Sequence, residues 1–336
     1  MIKYRLDVTV QNHEQLHLDT ATVEKEVEAY IHLGIRLVTG TLIQYTYGGD
    51  TVMKIGFIGA GKVGTALGDY FRRKGLTLSG YASRSRDSAK EAAQFTHSSF
   101  YSTYESLVED SDMIFITVSD GAISSVWNLI KEVPMQDKII CHCSGSISSQ
   151  IFSDIHTKGA FAYSIHPLLA IHSKEHSYDN LTRAVFTVEG DRMYLEKVIH
   201  LLEGLGNTVQ HIPTDAKARY HAAAVFASNH MVALARISMD LLISCGFDEQ
   251  AARSAITPLL LGNVSNIVNA GLTSALTGPV ERNDVSTVQK HLDCLDDAYH
   301  DLYIELSKVL VDIGKEKHPS LDYQEMTDLL NHYKTK

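Results

Sequence analysis

Cysteine, proline and secretory features are scarce in this sequence, and each shortage excludes a class of protein. The 336 residues include 4 Cys, 6 Pro and 22 Gly. The Cys at positions 141, 143, 245 and 294 form neither a disulfide framework nor paired zinc knuckles. The Pro and Gly contents exclude a fibrous or broadly disordered chain. Charges occupy the first residues, where a secretory signal has its apolar stretch, so we expect a protein of the reducing cytoplasm.

Concentrated positive charge and long apolar runs are also missing. With 30 Lys and Arg against 40 Asp and Glu, the formal net charge is −10, and no run of basic residues makes a local exception. This balance disfavours the phosphate neutralisation on which nucleic-acid affinity depends, so we expect neither nucleic acid nor an acidic membrane as a partner. No window reaches about 18 uninterrupted apolar residues, and no membrane span is predicted.

From residue 53 onward, short apolar runs alternate with helical periodicity. Strands are predicted over residues 54–58, 76–82, 112–118, 138–143, 160–165, 184–188 and 209–212, and helices over residues 62–74, 87–95, 121–131 and 192–205. This alternation indicates a parallel sheet with crossover helices. The length itself predicts two domains, at about 150 residues per domain.

After Pro213 the pattern becomes purely helical. The apolar-rich stretch 214–245 predicts one long helix of the kind found inside a bundle or a subunit interface. Further helices are predicted over residues 248–270, kinked near Pro258, over residues 284–314, and after Pro319. We therefore predict an α/β domain over residues 53–212 and an all-α domain over residues 213–336. Residues 1–52, with strand-like runs around a short helix near residues 22–33, form an N-terminal extension of unknown role.

A glycine motif follows the first predicted strand and opens the first predicted helix. Its residues are Gly59, Ala60, Gly61, Lys62, Val63 and Gly64, in the pattern G-x-G-x-x-G. The first glycine makes a tight turn, the second lets the backbone approach a pyrophosphate, and the third allows the helix and strand to pack closely. The helix N-terminus offers free N–H groups to the phosphates. This context favours a Rossmann dinucleotide-binding domain over a βα turn without a ligand.

The residues after the second strand select the dinucleotide. An acidic side chain there binds the ribose hydroxyl of NAD, whereas a basic one accommodates the extra phosphate of NADP. Here Ser83, Arg84, Ser85 and Arg86 precede the first carboxylate, Asp87. Because guanidinium groups bind phosphate in bidentate geometry, we predict NADP as the cofactor, with Ser83, Arg84 and Arg86 among its ligands. The alternative is a solvated Ser/Arg helix entry.

Polar residues also stand at the carboxyl ends of later strands, where open α/β sheets bind ligands. We expect Val118 and Ser119 to contact the cofactor, and Ser144 to contact the cofactor or the substrate. For the neighbouring Asp120 and Ser146, the alternative is a helix N-cap.

Because the sequence has seventeen histidines, a histidine is a candidate site residue only where its position in a predicted element supports a role. His142 lies within a predicted buried strand, where a hydrogen-bonded core imidazole is expected. His166 follows the strand 160–165 and is a candidate substrate ligand. Together with His172 and His176 it lacks the spacing and the supporting carboxylate of a metal site, and no metal is predicted.

The first helix of the second half carries the candidate catalytic residues. Thr214 is the expected N-cap, and Lys217 and His221 follow on one face, which can look into the cleft between the domains. These two are about 6 Å apart along the axis, close enough to reach one substrate, whereas Asn229 lies roughly 18 Å from Lys217 and contacts something else. The helix dipole opposes a Lys in the first turn, which lowers its pKa and helps it donate a proton. The alternatives are a solvated Lys217 and a structural His221.

A loop between two predicted helices supplies one further cation. Residues 277–284 read TGPVERND, and Arg282 can clamp a substrate carboxylate or pair with a neighbouring acid. Asp284 is the expected N-cap of the next helix, and His291 has no expected role. The candidate substrate-binding residues are Ser144, His166, Asn229 and Arg282.

These residues resemble a known group of proteins, in which a Rossmann-like domain precedes an all-helical domain of unknown function. Several members are regarded as an alternative type of ketopantoate reductase. The resemblance covers residues 53 to about 310 and depends on residues 54–64, 144–145, 166–167, 217–223, 228–229 and 277–284, with His291.

The layout is also similar to 6-phosphogluconate dehydrogenase, pyrroline-5-carboxylate reductase and the usual ketopantoate reductases. In these proteins a Lys that opens the first long helix of the second domain is often catalytic, which favours Lys217. Usual ketopantoate reductases carry Asn four and eight residues after that Lys, where this chain has His221 and Val225.

The resemblance implies an NADPH-dependent reduction of a small 2-oxo acid, with ketopantoate as the leading substrate and pantothenate biosynthesis as the setting. In this hypothesis Lys217 polarises the carbonyl and donates the proton, His221 orients the substrate or tunes Lys217, and Arg282 or Ser144 holds the carboxylate. The apolar surface of residues 214–245 predicts a homodimer through the helical domain. Two other hypotheses are an imine or pyrroline-5-carboxylate-type reductase and a non-catalytic NADP-binding regulator.

Overall fold

A computed structural model describes residues 52–174 and 176–334. The strand-like runs and the short helix predicted before residue 52 lie outside the described residues. Across those two described ranges, no helix combines the length and apolarity needed to cross a bilayer.

Eight strands form one sheet in the first part of the chain. They are β1 Lys54–Ile58, β2 Thr77–Ala82, β3 Ser99–Phe100, β4 Met113–Ile116, β5 Ile139–His142, β6 Phe161–Pro167, β7 Val185–Gly190 and β8 Thr208–His211. Their order in the sheet is β3-β2-β1-β4-β5-β6-β7-β8. The neighbours from β3 to β6 run parallel, as the alternation of strands and helices predicts. The two-residue β3 is an addition to the predicted strands.

Helices cover both faces of this sheet. They are α1 Lys62–Arg73, α2 Arg86–Phe95, α3 Tyr104–Glu109, α4 Ile123–Ile130, α5 Tyr178–Leu181 and α6 Leu195–Gly204. On β4, Met113 and Phe115 belong to one hydrophobic core, whereas Ile114 and Ile116 belong to the core on the other face. A strand buried on both faces has no polar alternation, which is why residues 113–116 read as a continuous apolar run.

The last two strands, β7 and β8, run opposite to the rest of the sheet. β7 pairs antiparallel with β6, and β8 pairs parallel with β7 across the α6 crossover. In the antiparallel pair, Ser164 stands opposite Glu189 and His166 stands opposite Thr187. Residues directly opposite each other point to the same face of the sheet, so these four side chains share one face.

The second part of the chain is helical. Its elements are α7 Lys217–Ala227, α8 Asn229–Ser244, α9 Glu249–Ala270, α10 Leu272–Ala275, α11 Val285–Cys294, α12 Asp297–Lys317 and α13 Gln324–Lys334. Helices α11, α12 and α13 share a hydrophobic core around Val288, Ile304 and Met326. Pro258 lies inside α9, and the helix continues through it.

Two predicted long helices are each divided in the structure. The prediction of one helix over residues 214–245 is wrong, because a 3₁₀ turn at Thr214–Ala216 precedes α7 and Ser228 separates α7 from α8. The Ser228 hydroxyl donates to the carbonyl of Ala224 at 2.6 Å, a side-chain bond that competes with helical backbone pairing. The prediction of one helix over residues 284–314 is also wrong, because Leu295 and Asp296 adopt extended conformations between α11 and α12.

Candidate active site

The glycine motif forms a tight turn between β1 and α1. Gly59 has φ +112° and donates its N–H to the carbonyl of Ala82 at 2.8 Å. A Cβ on Gly64 would lie 2.5 Å from the carbonyl oxygen of Gly59 and would also collide with Thr117 Oγ1. The first and third glycines therefore fit the turn and the close helix packing that the sequence predicts.

The second glycine of the motif opens on a cleft. A Cβ on Gly61 would meet no protein atom within 4 Å, and no side chain caps the start of α1 at this residue. The cleft has a volume of about 370 Å³. Its lining residues are Gly61, Lys62, Val63, Thr117, Val118, Asp120, Cys143, Ser144 and Ile171. An uncapped helix N-terminus beside open space is the arrangement that binds a diphosphate.

The residues after β2 stand beside the glycine turn. Ser83 is half-buried, whereas Arg84 and Arg86 are exposed and make no ion pair with the described residues. Ser85 instead caps α2, because its hydroxyl accepts the backbone N–H of Ser88 at 3.3 Å. The two guanidinium groups therefore remain available for an anionic ligand.

Lys217 is the first residue of α7 and turns into the sheet edge. Its side chain is almost fully buried, with the whole residue 3% exposed, so the alternative of a solvated surface Lys is wrong. The amine donates to the carbonyl of Ser144 at 2.8 Å and to Ser164 Oγ at 2.7 Å. Burial lowers the pKa of Lys217 to about 8, although the negative charges of Glu189 and Asp120 act to raise it.

The turn before Lys217 is fastened by a buried carboxylate. Thr214 is not a helix N-cap as predicted, because its hydroxyl donates to Glu189 Oε1 at 2.8 Å. Glu189 is 1% exposed and also accepts the backbone N–H and the hydroxyl of Ser149, each at 2.8 Å. The residue therefore joins the start of α7 to the loop that follows β5.

His166 and His221 meet beside Gly145. Their ring centroids are 6.5 Å apart, and His166 Nδ1 is 2.7 Å from the hydroxyl of Tyr220. A Cβ on Gly145 would lie 2.5 Å from His221 Nδ1 and 3.1 Å from His166 Nε2. Burial, followed by the charge of Lys217, lowers the pKa of His166 to about 4, so this imidazole is neutral at neutral pH.

His221 and His142 differ in how their ring nitrogens are satisfied. His221 Nδ1 is buried without a hydrogen-bond partner among the described residues. His142 is fully buried, accepts the N–H of Ser144 at Nδ1 and lies 3.2 Å from the carbonyl of Ser148 through Nε2. Burial lowers the pKa of His142 to about 4. His142 is thus the core imidazole that the sequence predicts.

Ser144 organises the loop after β5. Its hydroxyl donates to Asp120 Oδ2 at 2.8 Å and accepts the N–H groups of Ser146 and Ile147. Ser146 also donates its hydroxyl to Asp120 at 3.2 Å. The Asp120 carboxylate therefore accepts hydrogen bonds from Ser144 and Ser146, and neither Asp120 nor Ser146 caps a helix. The Ser144 hydroxyl has one proton, and that proton is directed to Asp120.

The structure brings together some of the predicted residues and leaves others apart. Ser144, His166, Lys217 and His221 meet at the carboxyl edge of β5 and β6, next to the cleft. Asn229 is exposed at the start of α8, with its Oδ1 3.1 Å from the Ser228 hydroxyl oxygen, and it does not hydrogen-bond to this group within the described ranges. Arg282 is exposed in the loop of residues 277–284 and makes no ion pair with a described residue. Asp284 caps α11 through the N–H of Thr287, as predicted.

Several residues of the site were not singled out by sequence reasoning. Thr117 and Cys143 line the cleft, and they lie at the carboxyl ends of the predicted strands 112–118 and 138–143. Ser164 was detectable as a polar residue within the run 160–165. No sequence pattern pointed to Glu189, because its position opposite Ser164 depends on the direction in which β7 runs. Among residues 52–174 and 176–334, no three His, Cys, Asp or Glu side chains are grouped as a metal site.

Comparisons with known proteins agree with this architecture. Residues 48–167 match the model of a Rossmann-like domain, and residues 184–310 match that of a domain of unknown function, DUF2520. No curated protein matches the chain. A Thermotoga maritima protein of known crystal structure is 29% identical with a TM-score of 0.63, and the match covers 78% of this chain and 99% of that chain.

Two further solved structures relate the fold to NADP. A Bacteroides fragilis protein named as a candidate NADP oxidoreductase is 22% identical with a TM-score of 0.62, over 77% of this chain and 98% of that chain. A Plasmodium falciparum pyrroline carboxylate reductase with NADP bound is 13% identical with a TM-score of 0.52, over 79% and 98%. The predicted fold class is confirmed: a Rossmann-like domain is followed by a helical region, and solved NADP-binding proteins share this fold.

Proposed function

We propose that this chain is an NADPH-dependent reductase of a small 2-oxo acid, with ketopantoate as the substrate that its sequence resemblance favours. The observation that carries the proposal is the Lys217 amine. It is buried at the carboxyl edge of the sheet and bonded to the carbonyl of Ser144, a residue that lines the cleft beside the glycine turn. Ser144 therefore contacts the proposed proton donor and also lines the proposed dinucleotide cleft.

The residues around the cleft fit NADP. The open space at Gly61 and the uncapped start of α1 suit the diphosphate, and the exposed Arg84 and Arg86 suit the extra phosphate. The predicted contacts of Ala60, Lys62, Val118 and Ser119 belong to the same edge of the sheet. When bound, NADPH supplies the hydride. Relatives of this fold that carry NADP support the choice of cofactor.

Lys217 has the chemistry of a proton donor to a carbonyl oxygen. Two of the three N–H bonds of its ammonium group point at Ser144 and Ser164, which leaves one for a substrate oxygen. A pKa of about 8 keeps the amine mostly protonated at neutral pH and still lets it release the proton to a developing alkoxide. The two-electron reduction adds a hydride to the carbonyl carbon and this proton to the oxygen.

His166 and His221 would orient the substrate. His166 is neutral and its Nδ1 is held by Tyr220, and His221 lies beside it with a buried Nδ1 that has no partner among the described residues. The Ser144 hydroxyl donates to Asp120 and has no second proton for a substrate carboxylate. Asn229 and Arg282 remain proposed substrate ligands.

Reduction of a cyclic imine is the second candidate function. Asp120 places a carboxylate at the cleft, where it can accompany a cationic nitrogen. Proteins that share the fold include a pyrroline carboxylate reductase and an imine reductase from Pseudomonas. The protonated Lys217 opposes a cation at the same place, which favours the 2-oxo acid.

A turnover screen separates these functions. NADPH oxidation is followed with ketopantoate, other small 2-oxo acids and pyrroline-5-carboxylate, for the wild type, Lys217→Ala and the control Lys315→Ala on an exposed surface of α12. We expect turnover of a 2-oxo acid that falls at least about 100-fold in Lys217→Ala and is unchanged in Lys315→Ala. Turnover of the imine alone supports the second candidate. Cofactor binding without any turnover supports a non-catalytic regulator.

Cofactor choice is tested by Arg84→Glu. The substitution places a carboxylate where the extra phosphate is proposed to bind, so calorimetry should show a much larger loss of affinity for NADPH than for NADH. Equal losses for the two nucleotides would contradict the assignment of Arg84.

We also propose that a second copy of the chain covers the helical region. No residue of α8 is buried, and α9 buries only Ala252 and Ile256. The large apolar side chains left exposed on and beside these helices are Phe226, Met231, Val232, Leu234, Ile243, Phe247, Leu259, Leu261, Val264, Ile267, Val268 and Leu272. Together they expose on the order of 1,000 Å², comparable to one side of a stable interface. Sedimentation should show a dimer that Val268→Glu dissociates, and a wild-type monomer would overturn this proposal.

A further inference from the structure

Glu189 is a buried carboxylate whose position is set by the reversal of β7. It stands opposite Ser164 across the antiparallel pair, and Ser164 bonds to the amine of Lys217. Glu189 makes no ion pair within 4 Å among the described residues. An isolated buried charge is costly for folding, and three hydrogen bonds from Ser149 and Thr214 offset that cost only in part.

The hydrogen bonds of Glu189 join the two segments that place Lys217. Thr214 belongs to the 3₁₀ turn that leads directly into α7, so its bond to Oε1 fixes where the helix begins. Ser149 lies further along the same loop after β5 as Ser144, whose carbonyl accepts the Lys217 amine. One carboxylate therefore holds both the helix that carries the amine and the loop that receives it.

We infer that Glu189 is a positioning residue for Lys217, which fixes the amine at the cleft and supplies a buried negative charge behind it. This inference rests on the proposed function only for its kinetic consequences. The other titratable groups that face Lys217 are Asp120, His142, Cys143, His166 and Tyr220. His142 and His166 are neutral, and Asp120 lies on the cleft side, so Glu189 is the buried acid on the side of the sheet.

The direct test is the titration of Lys217 itself, followed by NMR in protein labelled with ¹³C at the lysine ε-carbon. The signal is assigned by its absence in Lys217→Arg. Glu189→Gln keeps the shape and removes the charge, so we expect the pKa of Lys217 to fall by about one unit, as for loss of a nearby opposite charge. Glu196→Gln, at an exposed position on α6, is the matched control and should leave the titration unchanged. An unchanged titration in Glu189→Gln overturns the inference.

The kinetic test separates charge from position. In the wild type, kcat/KM should fall on the alkaline side as Lys217 loses its proton, and in Glu189→Gln this fall should move to lower pH by the same amount. Glu189→Asp keeps the charge but retracts it by one methylene, so kcat should fall at least about tenfold with the alkaline limb unmoved. A purely structural role would lower activity and stability in both variants without moving the limb, which would contradict the inference.

Thr214→Val keeps the inference testable if Glu189→Gln does not fold. It removes one hydrogen bond to the carboxylate and keeps the charge. We expect kcat to fall at least about fivefold while the affinity for NADPH stays unchanged. Wild-type kcat in this variant would overturn the positioning role. A wild-type protein that shows no turnover refutes the proposed function, whereas the NMR titration still decides the inference about Glu189.

Discussion

Replacing Lys217 by Met should stabilise the folded protein at neutral pH, even though the replacement removes a buried polar group with two hydrogen bonds. Burial lowers the pKa of Lys217 from 10.5 to about 8. This difference corresponds to about 3 kcal/mol, since a tenfold change in a proton equilibrium is worth about 1.4 kcal/mol. Met has a similar length and carries no charge, so it avoids that cost.

The lost hydrogen bonds offset part of this gain. The Ser144 carbonyl still accepts the Ser164 hydroxyl at 3.2 Å, so no buried acceptor loses its last partner there. A net loss of about 1 kcal/mol for the bonds leaves Lys217→Met about 2 kcal/mol more stable than the wild type at pH 7.

The gain must disappear in alkaline solution, and the sign of this change follows from proton binding. Between about pH 8 and 10.5 the unfolded chain keeps the Lys217 proton while the folded chain has lost it. The wild type therefore becomes more stable relative to Lys217→Met as the pH rises through this window. Above this pH window the amine is neutral in the folded and in the unfolded chain. The remaining difference is the cost to Lys217→Met of the lost hydrogen bonds.

Urea unfolding of both proteins at pH 7 and near pH 10.5 measures the effect as a difference of free energies of unfolding. Lys315→Met, at an exposed position, is the control and should show a difference that does not depend on pH. The reasoning is refuted if Lys217→Met is less stable than the wild type at pH 7, or if its advantage is the same at both pH values.

Three further predictions concern the cleft and its chemistry. Gly61→Ala should leave the melting temperature unchanged, because the new Cβ meets no protein atom within 4 Å, yet calorimetry should show at least about tenfold weaker NADPH binding. Gly145→Ala should retain NADPH binding but lose most of its kcat, because its Cβ would lie 2.5 Å from His221 Nδ1; wild-type turnover would remove His221 from the site. The pH profile of wild-type kcat/KM should fall above about pH 8, where Lys217 loses its proton, and a flat profile to pH 10 would exclude this amine as the proton donor.

The sheet and the glycine turn were predictable from the sequence because both depend on local patterns. Residues 55–58 and 113–116 lack polar alternation, which is typical of strands covered on both faces. Gly59 and Gly64 follow from the turn and the close packing that the motif requires. The division of the first long helix was not predictable from apolar periodicity, because it depends on the backbone of one residue, Ser228, which leaves the helical region with φ −126° and ψ −74°.

The candidate site was predictable only where it follows from strand ends and helix spacing. Lys217 and His221 are four residues apart on α7. Both reach the edge of the sheet where β5 and β6 end, beside Ser144 and His166. Burial of Lys217 was not predictable from its own neighbourhood, because the partners that accept its amine are more than fifty residues away in the chain. The bond of Thr214 to Glu189 required the direction of β7, which no local pattern encodes.

The alternation along β7 links the hydrophobic core to the surroundings of Lys217. Phe186 and Val188 are fully buried in the core on one face, and Thr187 and Glu189 alternate with them along the strand and point to the other face. A slip of β7 by one residue would turn every side chain to the opposite face. Val188 would then stand where the acid stands now. Burial of Phe186 and Val188 in the core therefore fixes the register of β7 and keeps the Glu189 carboxylate on the face that Lys217 approaches.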